Sequence, residues 1–395
     1  MGSGAVIPGD GGEPAPRAPD APRPAAGRPR FVVDSGAGGP IIRGDEVNKL
    51  IRVAVVGATG YTGCELLEIL TRHPRAKVTS LTAKLDHPIL MSEESPRFAG
   101  RLDLPCTPLD VEDVCRKADL VFLSLPHGVS MKYAGPFRAA GKKVIDLSAD
   151  FRFRDAAVFA QWYGVEHAAQ GLLPEAVYGL PELRADEIRG ASLVANPGCY
   201  PTGSILAIAP LLAAGLVEPG EIIIDSKSGA TGAGRKASIP MIFGEVNESF
   251  RAYKVGRHQH IAEIEAELGR AAGVPIRVLF TPHLAPMNRG ILTTVYLKPR
   301  SPVSSSALLD AYRGAYARSP FVRVMPPGAL ADTKNVLGLN FCDISAVADD
   351  RTGRIVVISA IDNLVKGAAG QAVQNMNLVC SLPEDCGVPA LSLYP

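Results

Sequence analysis

The sequence lacks a surplus of charge of either sign and has no hydrophobic run long enough to cross a bilayer. Its 395 residues include 41 basic and 40 acidic side chains, for a formal net charge of +1. Such a balanced chain has no field that attracts nucleic acid, and no basic run suggests a membrane surface. The longest apolar run, residues 205–217, has 13 residues, whereas a bilayer-spanning helix needs roughly 18. These absences exclude a nucleic-acid partner and a membrane protein, and they leave small molecules as the expected ligands.

Close cysteine pairs are also absent. The seven cysteines form no Cys-x-x-Cys pair and no zinc-type grouping. An odd number at scattered spacings is typical of a reducing compartment and not of a disulfide framework. We therefore expect free thiols, no metal site and a cytoplasmic protein.

Hydrophobic periodicity is almost missing from the first part of the chain. Residues 1–40 contain eight prolines and nine glycines, so they cannot bury enough surface to offset the entropy cost of ordering. The apolar core of a signal peptide is missing, and acidic residues disfavour an organellar transit peptide. The sequence predicts a disordered tail over residues 1–48.

Order is expected from a short apolar run, residues 51–56, which is typical of a buried parallel strand. Three glycines follow it at once, and a helical segment, residues 64–72, comes next. Between a strand and a helix, such glycines let the backbone turn tightly and approach a pyrophosphate at the helix N-terminus. The pattern predicts a dinucleotide site that comprises Gly57, Thr59, Gly60, Tyr61, Thr62 and Gly63.

A second strand, residues 77–83, is expected to end near the cofactor's ribose. NAD-binding folds place an acidic residue there, whereas this chain has Thr82, Ala83 and Lys84. An acid would repel a 2′-phosphate, while Thr82 and Lys84 could bond one. The sequence therefore favours NADP(H).

Two further apolar strands, residues 120–125 and 143–147, are followed by polar residues. Ligands of open α/β sheets bind at the carboxyl ends of the strands. We therefore assign Ser148 and Arg152 to an anionic substrate and interpret His127 as a packed loop histidine. At the end of the earlier strand, Ser124 and Pro126 are assigned to the cofactor.

The most informative local pattern is Asn-Pro-Gly-Cys-Tyr-Pro-Thr at residues 196–202. An apolar stretch precedes this heptad and a long Leu/Ile/Ala segment, residues 203–216, follows it, which predicts a strand-to-helix turn with Cys199 at a helix N-terminus. Unpaired amides and the helix dipole at such a position stabilise a thiolate and lower the pKa of cysteine. Cysteines are often inert core residues, but this setting predicts that Cys199 is a nucleophile.

A nucleophilic thiol needs a partner that accepts and returns a proton near neutral pH, and histidine is suited to that role. The stretch Gly-Arg-His-Gln-His at residues 256–260 offers two candidates. We assign the proton transfer to His258 and interpret His260, where the next helix begins, as a cap or packing residue. Together with Glu263 the pair could also suggest a metal, but no further ligand set is near.

A second glycine-rich loop, residues 226–235, could bind phosphate or cofactor through backbone amides. For the middle of this loop, a mobile hairpin or lid is an equally good interpretation. The remaining chain alternates as strands do, which predicts a substantial antiparallel sheet. It ends in a strand, residues 354–360, and a helix, residues 368–379, that we expect to pack back on the first domain.

Taken together, these motifs resemble those of the N-acetyl-gamma-glutamyl-phosphate reductase family, arginine-pathway relatives of aspartate-semialdehyde dehydrogenase. The resemblance covers about residues 51–382. It rests on both glycine-rich loops, the heptad and the histidine stretch, and on the motifs at residues 148–152, 178–182, 280–283 and 362–370.

The resemblance implies an α/β fold with two domains. A Rossmann dinucleotide-binding domain comprises residues 49–198 with 360–395, and an α+β catalytic and dimerisation domain comprises residues 199–359. A homo-oligomer, dimer or tetramer, is implied as well. The family's catalytic pair falls on Cys199 and His258. On the matching motifs we further assign Gly229 and Asn363 to the cofactor and Asn196 and Arg235 to the substrate.

The implied activity is the NADPH-dependent reduction of N-acetyl-L-glutamyl 5-phosphate to the 5-semialdehyde through a thioester on Cys199, with phosphate released. Two alternatives remain open: a carrier-linked aminoadipyl phosphate of lysine biosynthesis as the substrate, and a non-catalytic NADP-binding module. A non-catalytic module would need the Gly57 loop but neither Cys199 nor His258, so the presence of both disfavours it.

Overall fold

Short apolar segments between residues 51 and 195 form one sheet in the computed structural model, which describes residues 50–391. The tail predicted over residues 1–48 lies outside the described residues. The strands of this first sheet are β1 Ile51–Val56, β2 Ala76–Thr82, β3 Ile89–Leu90, β4 Pro105–Thr107, β5 Leu120–Leu123, β6 Lys143–Asp146, β7 Val177–Tyr178 and β8 Leu193–Ala195.

The first sheet has the spatial order β3-β4-β2-β1-β5-β6-β8-β7, and all neighbouring strands except β3 and β4 run parallel. Its central strands β1 and β5 are buried on both faces, as their continuous apolar sequences predict. The connecting helices are α1 Tyr61–Leu70, α2 Met91–Glu94, α3 Val111–Lys117, α4 Met131–Ala139, α5 Ala156–Tyr163 and α6 Pro181–Arg189. The predicted Rossmann-type sheet is confirmed.

A second sheet follows in the chain. Its strands are β9 Val217–Ser228, β10 Arg251–Ala252, β11 Val278–Leu284, β12 Ile291–Pro299, β13 Val322–Val324, β14 Cys342–Asp349 and β15 Arg354–Ile361. They lie in the order β10-β11-β9-β12-β15-β14-β13, with antiparallel pairs at the centre. The predicted antiparallel sheet is therefore present.

The remaining helices are α7 Cys199–Ala213, α8 Phe243–Val246, α9 His260–Ala272, α10 Ser305–Ala315 and α11 Gly370–Val379. Helix α7 is apolar around its whole circumference and is buried from Tyr200 to Leu212, as expected for a helix enclosed on all sides. It packs between the second sheet, α9 and α10. This enclosure fixes the position of Cys199 at the helix start.

Helix α11 returns to the first sheet, where it contacts α1, α6 and β6, as the sequence predicted. A π-helical turn, Val365–Ala369, precedes it. Such turns often occur at functional sites, and this one contacts α7. No helix within residues 50–391 is long and apolar enough to cross a lipid bilayer.

Candidate active site

A cleft of about 970 Å³ opens between the carboxyl ends of the first sheet's strands and one edge of the second sheet. Among the residues predicted for the site, those that line the cleft are Gly57, Thr59, Gly60, Tyr61, Thr62, Lys84, Ser124, Pro126, Arg152, Asn196, Cys199, Gly229, Arg235, His258 and Asn363. Gly63, Thr82 and Ser148 lie behind its wall. The topology therefore brings together segments that are up to 306 residues apart in the chain, from Gly57 to Asn363.

The glycine loop after β1 has the shape that a pyrophosphate needs. Gly57 has a φ of +93°, and a Cβ there would stand 2.1 Å from the carbonyl oxygen of Ser124. A Cβ on Gly63, in the first turn of α1, would stand 2.2 Å from the Gly57 carbonyl oxygen. No side chain caps α1, so its first amides are open to a ligand. These features fit the diphosphate of a dinucleotide.

Thr82 and Lys84, the two residues at the end of β2 predicted to bind a 2′-phosphate, differ in their exposure. Thr82 is buried, and its carbonyl oxygen accepts hydrogen bonds from the amides of Gly57 and Ala58. Its carbonyl therefore supports the glycine loop from behind. Its hydroxyl is buried with no partner among the described residues, and a bond from Thr82 to a 2′-phosphate stays a prediction. Lys84 is exposed and lines the cleft, and it remains the predicted ligand for a 2′-phosphate.

Cys199 begins α7 directly after Gly198, as the sequence predicted. Below it, the Glu263 carboxylate accepts hydrogen bonds from the Gly198 amide at 2.8 Å and from the Tyr178 hydroxyl at 2.8 Å. The same carboxylate forms a buried ion pair with Arg152 at 3.0 Å. This network holds the turn before the thiol in one conformation.

The expectation of a depressed thiol pKa is wrong. Burial raises the pKa of the Cys199 thiol to about 11, although the Tyr200 amide and the Arg152 charge act in the opposite direction. Loss of solvation outweighs the helix N-terminus here. At neutral pH the resting group is a thiol, so a nucleophilic role requires a base that removes its proton.

His258 and His260 both line the cleft, with ring centroids 4.7 Å apart. The amide of His260 donates to Nδ1 of His258 at 3.1 Å, so the His258 ring binds the first amide of α9. His260 is buried and packs against Gly198, which agrees with the packing role that was one of its two predicted roles. Burial lowers the pKa of His258 to about 4, and that of His260 falls well below its ordinary value for the same reason. Both imidazoles are therefore neutral near pH 7.

The predicted substrate residues differ in the hydrogen bonds and ion pairs that they already form within the protein. The Ser148 hydroxyl donates to Asp146 and accepts from the Asp150 amide. It is therefore already hydrogen-bonded within the protein, and Ser148 does not line the cleft. The amide group of Asn196 bonds to Ala368 and Asn375. Arg152 pairs with Glu263, while Arg235 pairs with Glu94 and donates to the Thr59 carbonyl. Arg235 thereby joins the second glycine-rich loop to the first.

Several residues near Cys199 escaped sequence reasoning. Gly367, in the π-helical turn, lies against the thiol residue, because a Cβ there would stand 2.9 Å from the Cβ of Cys199. Tyr200 and Tyr253 share a hydrogen bond of 2.9 Å at the cleft. Lys254 adopts a φ of +47°, which is uncommon for a residue other than glycine. The sequence shows these residues, including the glycine after Val365-Lys366, but it does not show that this glycine contacts Cys199.

Comparison with known proteins places this cleft in a family. The family model described as semialdehyde dehydrogenase, NAD binding domain matches residues 52–191. The model described as semialdehyde dehydrogenase, dimerisation domain matches residues 199–363. An N-acetyl-gamma-glutamyl-phosphate reductase from Desulforudis audaxviator is 53% identical over 346 residues, which is 88% of this chain and 100% of that protein. The chain belongs to the N-acetyl-gamma-glutamyl-phosphate reductase family.

A second member of this reductase family, from Pelotomaculum thermopropionicum, is 52% identical over 87% of this chain and 99% of its own length. Among solved structures, aspartate semialdehyde dehydrogenase II from Vibrio cholerae has a TM-score of 0.64 at 18% identity and covers 85% of this chain and 99% of its own. The Candida albicans enzyme, solved with NADP, has a TM-score of 0.60 at 14% identity over 84% of this chain and 99% of its own. These structures share the two-domain fold, and the first domain is of the NAD(P)-binding type.

Proposed function

We propose that the protein reduces N-acetyl-L-glutamyl 5-phosphate to N-acetyl-L-glutamate 5-semialdehyde with NADPH, releasing phosphate. The observation that carries the proposal is the position of Cys199. Its thiol begins a buried helix in the same cleft as a dinucleotide-type glycine loop and a pair of neutral histidines. A nucleophile, a proton acceptor and a cofactor loop are the parts that a two-step reduction of an acyl phosphate needs.

NADPH, when bound, would supply the hydride that no side chain can deliver. The loop from Gly57 to Gly63 would hold its diphosphate, and Lys84 its 2′-phosphate. Gly229 and Asn363 complete this wall, because Asn363 bonds both the Gly290 amide and the Thr231 hydroxyl at the second glycine-rich loop. Asn363 thus holds the middle of this loop at Thr231.

Cys199 would attack the acyl carbon of the substrate. Sulfur forms a bond to that carbon, the bond to the phosphate oxygen breaks, and phosphate departs with the electron pair, leaving a thioester. The amides at the start of α7 lie where negative charge develops on the acyl oxygen. Because the resting thiol is protonated, a neutral histidine takes its proton as the sulfur attacks.

The charge of the cleft suits a substrate with several negative groups. Lys236, Arg251 and Lys254 line it, and none of the three has a carboxylate partner within the described part of the chain. The Arg251 guanidinium is held by the carbonyl oxygens of Glu245 and Pro240. These cations would receive the phosphate and the α-carboxylate of the substrate.

The decisive assay follows NADP+ reduction with N-acetylglutamate semialdehyde and inorganic phosphate. Turnover must require phosphate, because only phosphorolysis of the thioester frees Cys199 in that direction. A carrier-linked aminoadipyl semialdehyde, tested in parallel, measures the lysine-pathway alternative. A kcat/KM for the carrier-linked substrate that equals or exceeds the other would transfer the assignment to lysine biosynthesis.

We further propose that the protein is a cytoplasmic homo-oligomer. All seven cysteines are free, which supports a reducing compartment. Helices α7, α9 and α10 cover one face of the second sheet, whereas the other face exposes Ile223, Leu279, Tyr296 and Val347. An uncovered apolar sheet face supports self-association. Sedimentation of wild-type protein and of Leu279→Glu measures this, because a charge on that face should shift the oligomer toward monomer.

A further inference from the structure

We propose that Lys366 is a positioning residue: its buried ammonium group holds the π-helical turn Val365–Ala369 in register and thereby fixes the position of Cys199. The proposal rests on the proposed function, because it concerns how the nucleophile of that reaction is held. Lys366 is fully buried and does not line the cleft. Its effect therefore passes through Gly367, the next residue of the turn.

The π-helical turn forms the wall behind the thiol. A Cβ on Gly367 would stand 2.9 Å from the Cβ and 3.2 Å from the Cα of Cys199, so the backbone of the turn lies directly against the first residue of α7. The carbonyl oxygen of Ala368 accepts a hydrogen bond from the side chain of Asn196 at 3.1 Å. Cys199 and the segment that leads into it therefore both contact this turn.

Backbone hydrogen bonds across five residues define the register of the turn. Three amides donate to carbonyl oxygens five positions earlier: Gly367 to Asp362, Ala369 to Leu364 and Gly370 to Val365. In an α-helix the same amides would bond four positions earlier, and Gly367 would no longer face Cys199. Gly367 is the only residue of Val365–Ala369 without a Cβ. Because no Cβ fits against Cys199 at this point, the position of the thiol depends on the π register.

The side chain of Lys366 spans the same five-residue interval. Its ammonium group donates to Oε1 of Gln371 at 2.6 Å, whereas side chains that meet on an α-helix are three or four residues apart. It also donates to Oε1 of Gln374 at 2.8 Å and to Oε1 of Glu182, on α6, at 2.5 Å. Three acceptors satisfy all three N–H groups of an ammonium. Lys366 thus joins the turn to α6 and α11, and a change of register would break this set of bonds.

A buried ion pair of this kind points to register and not to stability. The side chains of Lys366 and Glu182 are both fully buried, and the cost of desolvating such a pair often exceeds its attraction. Fixing register is the best-attested use of buried polar groups. Oε2 of Glu182 and Nε2 of Gln371 have no partner among the described residues. The cluster is therefore arranged around the ammonium group and not for the largest number of hydrogen bonds.

Gln371→Met separates the register of the turn from global stability. Oε1 of Gln371 accepts only from Lys366, and its Nε2 has no partner within residues 50–391, so methionine removes the contact across five residues together with an unpaired donor. The urea midpoint should therefore stay near the wild-type value. Amide hydrogen exchange over residues 362–370 of the full-length enzyme should be about 10-fold faster. The kcat should fall about 10-fold, while the Kd of NADPH stays within about 3-fold because the glycine loop after β1 is unchanged.

Lys366→Met/Glu182→Gln removes the ammonium and its countercharge together, so that no buried charge is left unpaired. Exchange over residues 362–370 should rise about 10²-fold, and kcat should fall about 10²-fold. Arg184→Met/Glu267→Gln is the matched control, because this ion pair is also buried and, among the described residues, neither partner bonds to the π-helical turn. The control should keep wild-type exchange over residues 362–370 and wild-type kcat.

Wild-type exchange over residues 362–370 in both test variants would overturn the proposal, and so would wild-type kcat despite faster exchange. Equal losses of kcat and of urea midpoint in the test and control variants would show a general structural role and overturn it as well.

Alkylation of Cys199 by iodoacetamide tests the same claim without substrate. At about pH 9.5 the reaction should be about 5-fold faster in Gln371→Met than in wild type, because the wall at Gly367 is no longer fixed. An unchanged rate would overturn the positioning role. A faster rate, in an enzyme that shows no phosphate-dependent turnover even as wild type, would support the positioning role and contradict the proposed function instead.

Discussion

Nε2 of His260 lies directly against Gly198: a methyl group on Gly198 would stand 2.6 Å from that nitrogen and 2.9 Å from Nη1 of Arg152. The glycine before the nucleophile is therefore required by the approach of two functional side chains. Its backbone is extended, with a φ of −70°, so alanine is excluded only by this contact. Gly198→Ala should displace His260, lower kcat by about 10²-fold and cost about 1–3 kcal/mol of unfolding free energy through overpacking.

Steady-state kinetics and urea unfolding measure both effects. Gly314→Ala is the matched control, because Gly314 lies in α10 with nothing within 4 Å of its added methyl group. That control should keep wild-type kcat and gain about 0.5–1 kcal/mol of stability, as alanine does in a helix. Wild-type activity in Gly198→Ala would show that the position of His260 does not matter.

The end of β2 should determine the choice of cofactor. Lys84 lines the cleft where NAD-specific folds carry an acid. One or two charge-assisted hydrogen bonds supply roughly 1.5–3 kcal/mol, so kcat/KM should favour NADPH over NADH by about 10–100-fold. Lys84→Glu should move the preference toward NADH, whereas Lys77→Glu, the same charge change on β2 outside the cleft, should not. Equal kcat/KM values for both cofactors in wild type would contradict this role.

Alkylation of Cys199 should reveal a thiol rather than a thiolate in the resting enzyme. Burial raises its pKa to about 11, and only the thiolate reacts with iodoacetamide. The modification rate at Cys199, followed by peptide mass spectrometry without substrate, should be low at pH 7 and rise steadily between pH 9 and pH 11. A rate that is already at its plateau at pH 7 would indicate a preformed ion pair with histidine and restore the sequence-based expectation.

Stability should fall in mild acid because the buried neutral His258 resists protonation. The pKa of His258 is lowered to about 4, chiefly by burial, whereas an unfolded chain binds this proton near pH 6.5. The contribution of His258 is therefore complete above pH 6.5 and is lost as the pH falls toward 4. Between pH 7 and pH 5 it should cost about 2 kcal/mol of unfolding free energy. The pH dependence of His258→Gln should be shallower by that amount, and an identical slope would contradict the lowered pKa.

Most of the fold was predictable because local patterns and tertiary structure agree. The apolar run that became β1, the glycines after it and the start of α7 at Cys199 all follow from burial and turn chemistry. Helix boundaries shifted where backbone contacts decide them: α1 begins at Tyr61, three residues before the expected start, so that Gly63 lies inside its first turn. The tight contact between Gly63 and Gly57 requires that arrangement.

The site was less predictable, because its chemistry depends on burial and on partners distant in the chain. Helix position alone predicts a reactive thiolate at Cys199, whereas the fold around it makes the thiol the stable form. His258 and His260 are equivalent in the sequence and are separated only by the amide that binds one ring. Gly367 meets Cys199 across 168 positions, through a π-helical turn that no local pattern indicates.

The central claim, covalent catalysis at Cys199, is tested most directly by trapping the acyl enzyme. Incubation with N-acetylglutamate semialdehyde and NADP+ in the absence of phosphate should oxidise the aldehyde on the enzyme and stop at the thioester. Intact-mass and peptide analysis should find one N-acetylglutamyl group per chain on Cys199. Added phosphate should release it, and Cys199→Ser should show none. Phosphate-dependent turnover of the wild-type enzyme without any adduct on Cys199 would contradict covalent catalysis. Undiminished turnover in Cys199→Ser would contradict it as well.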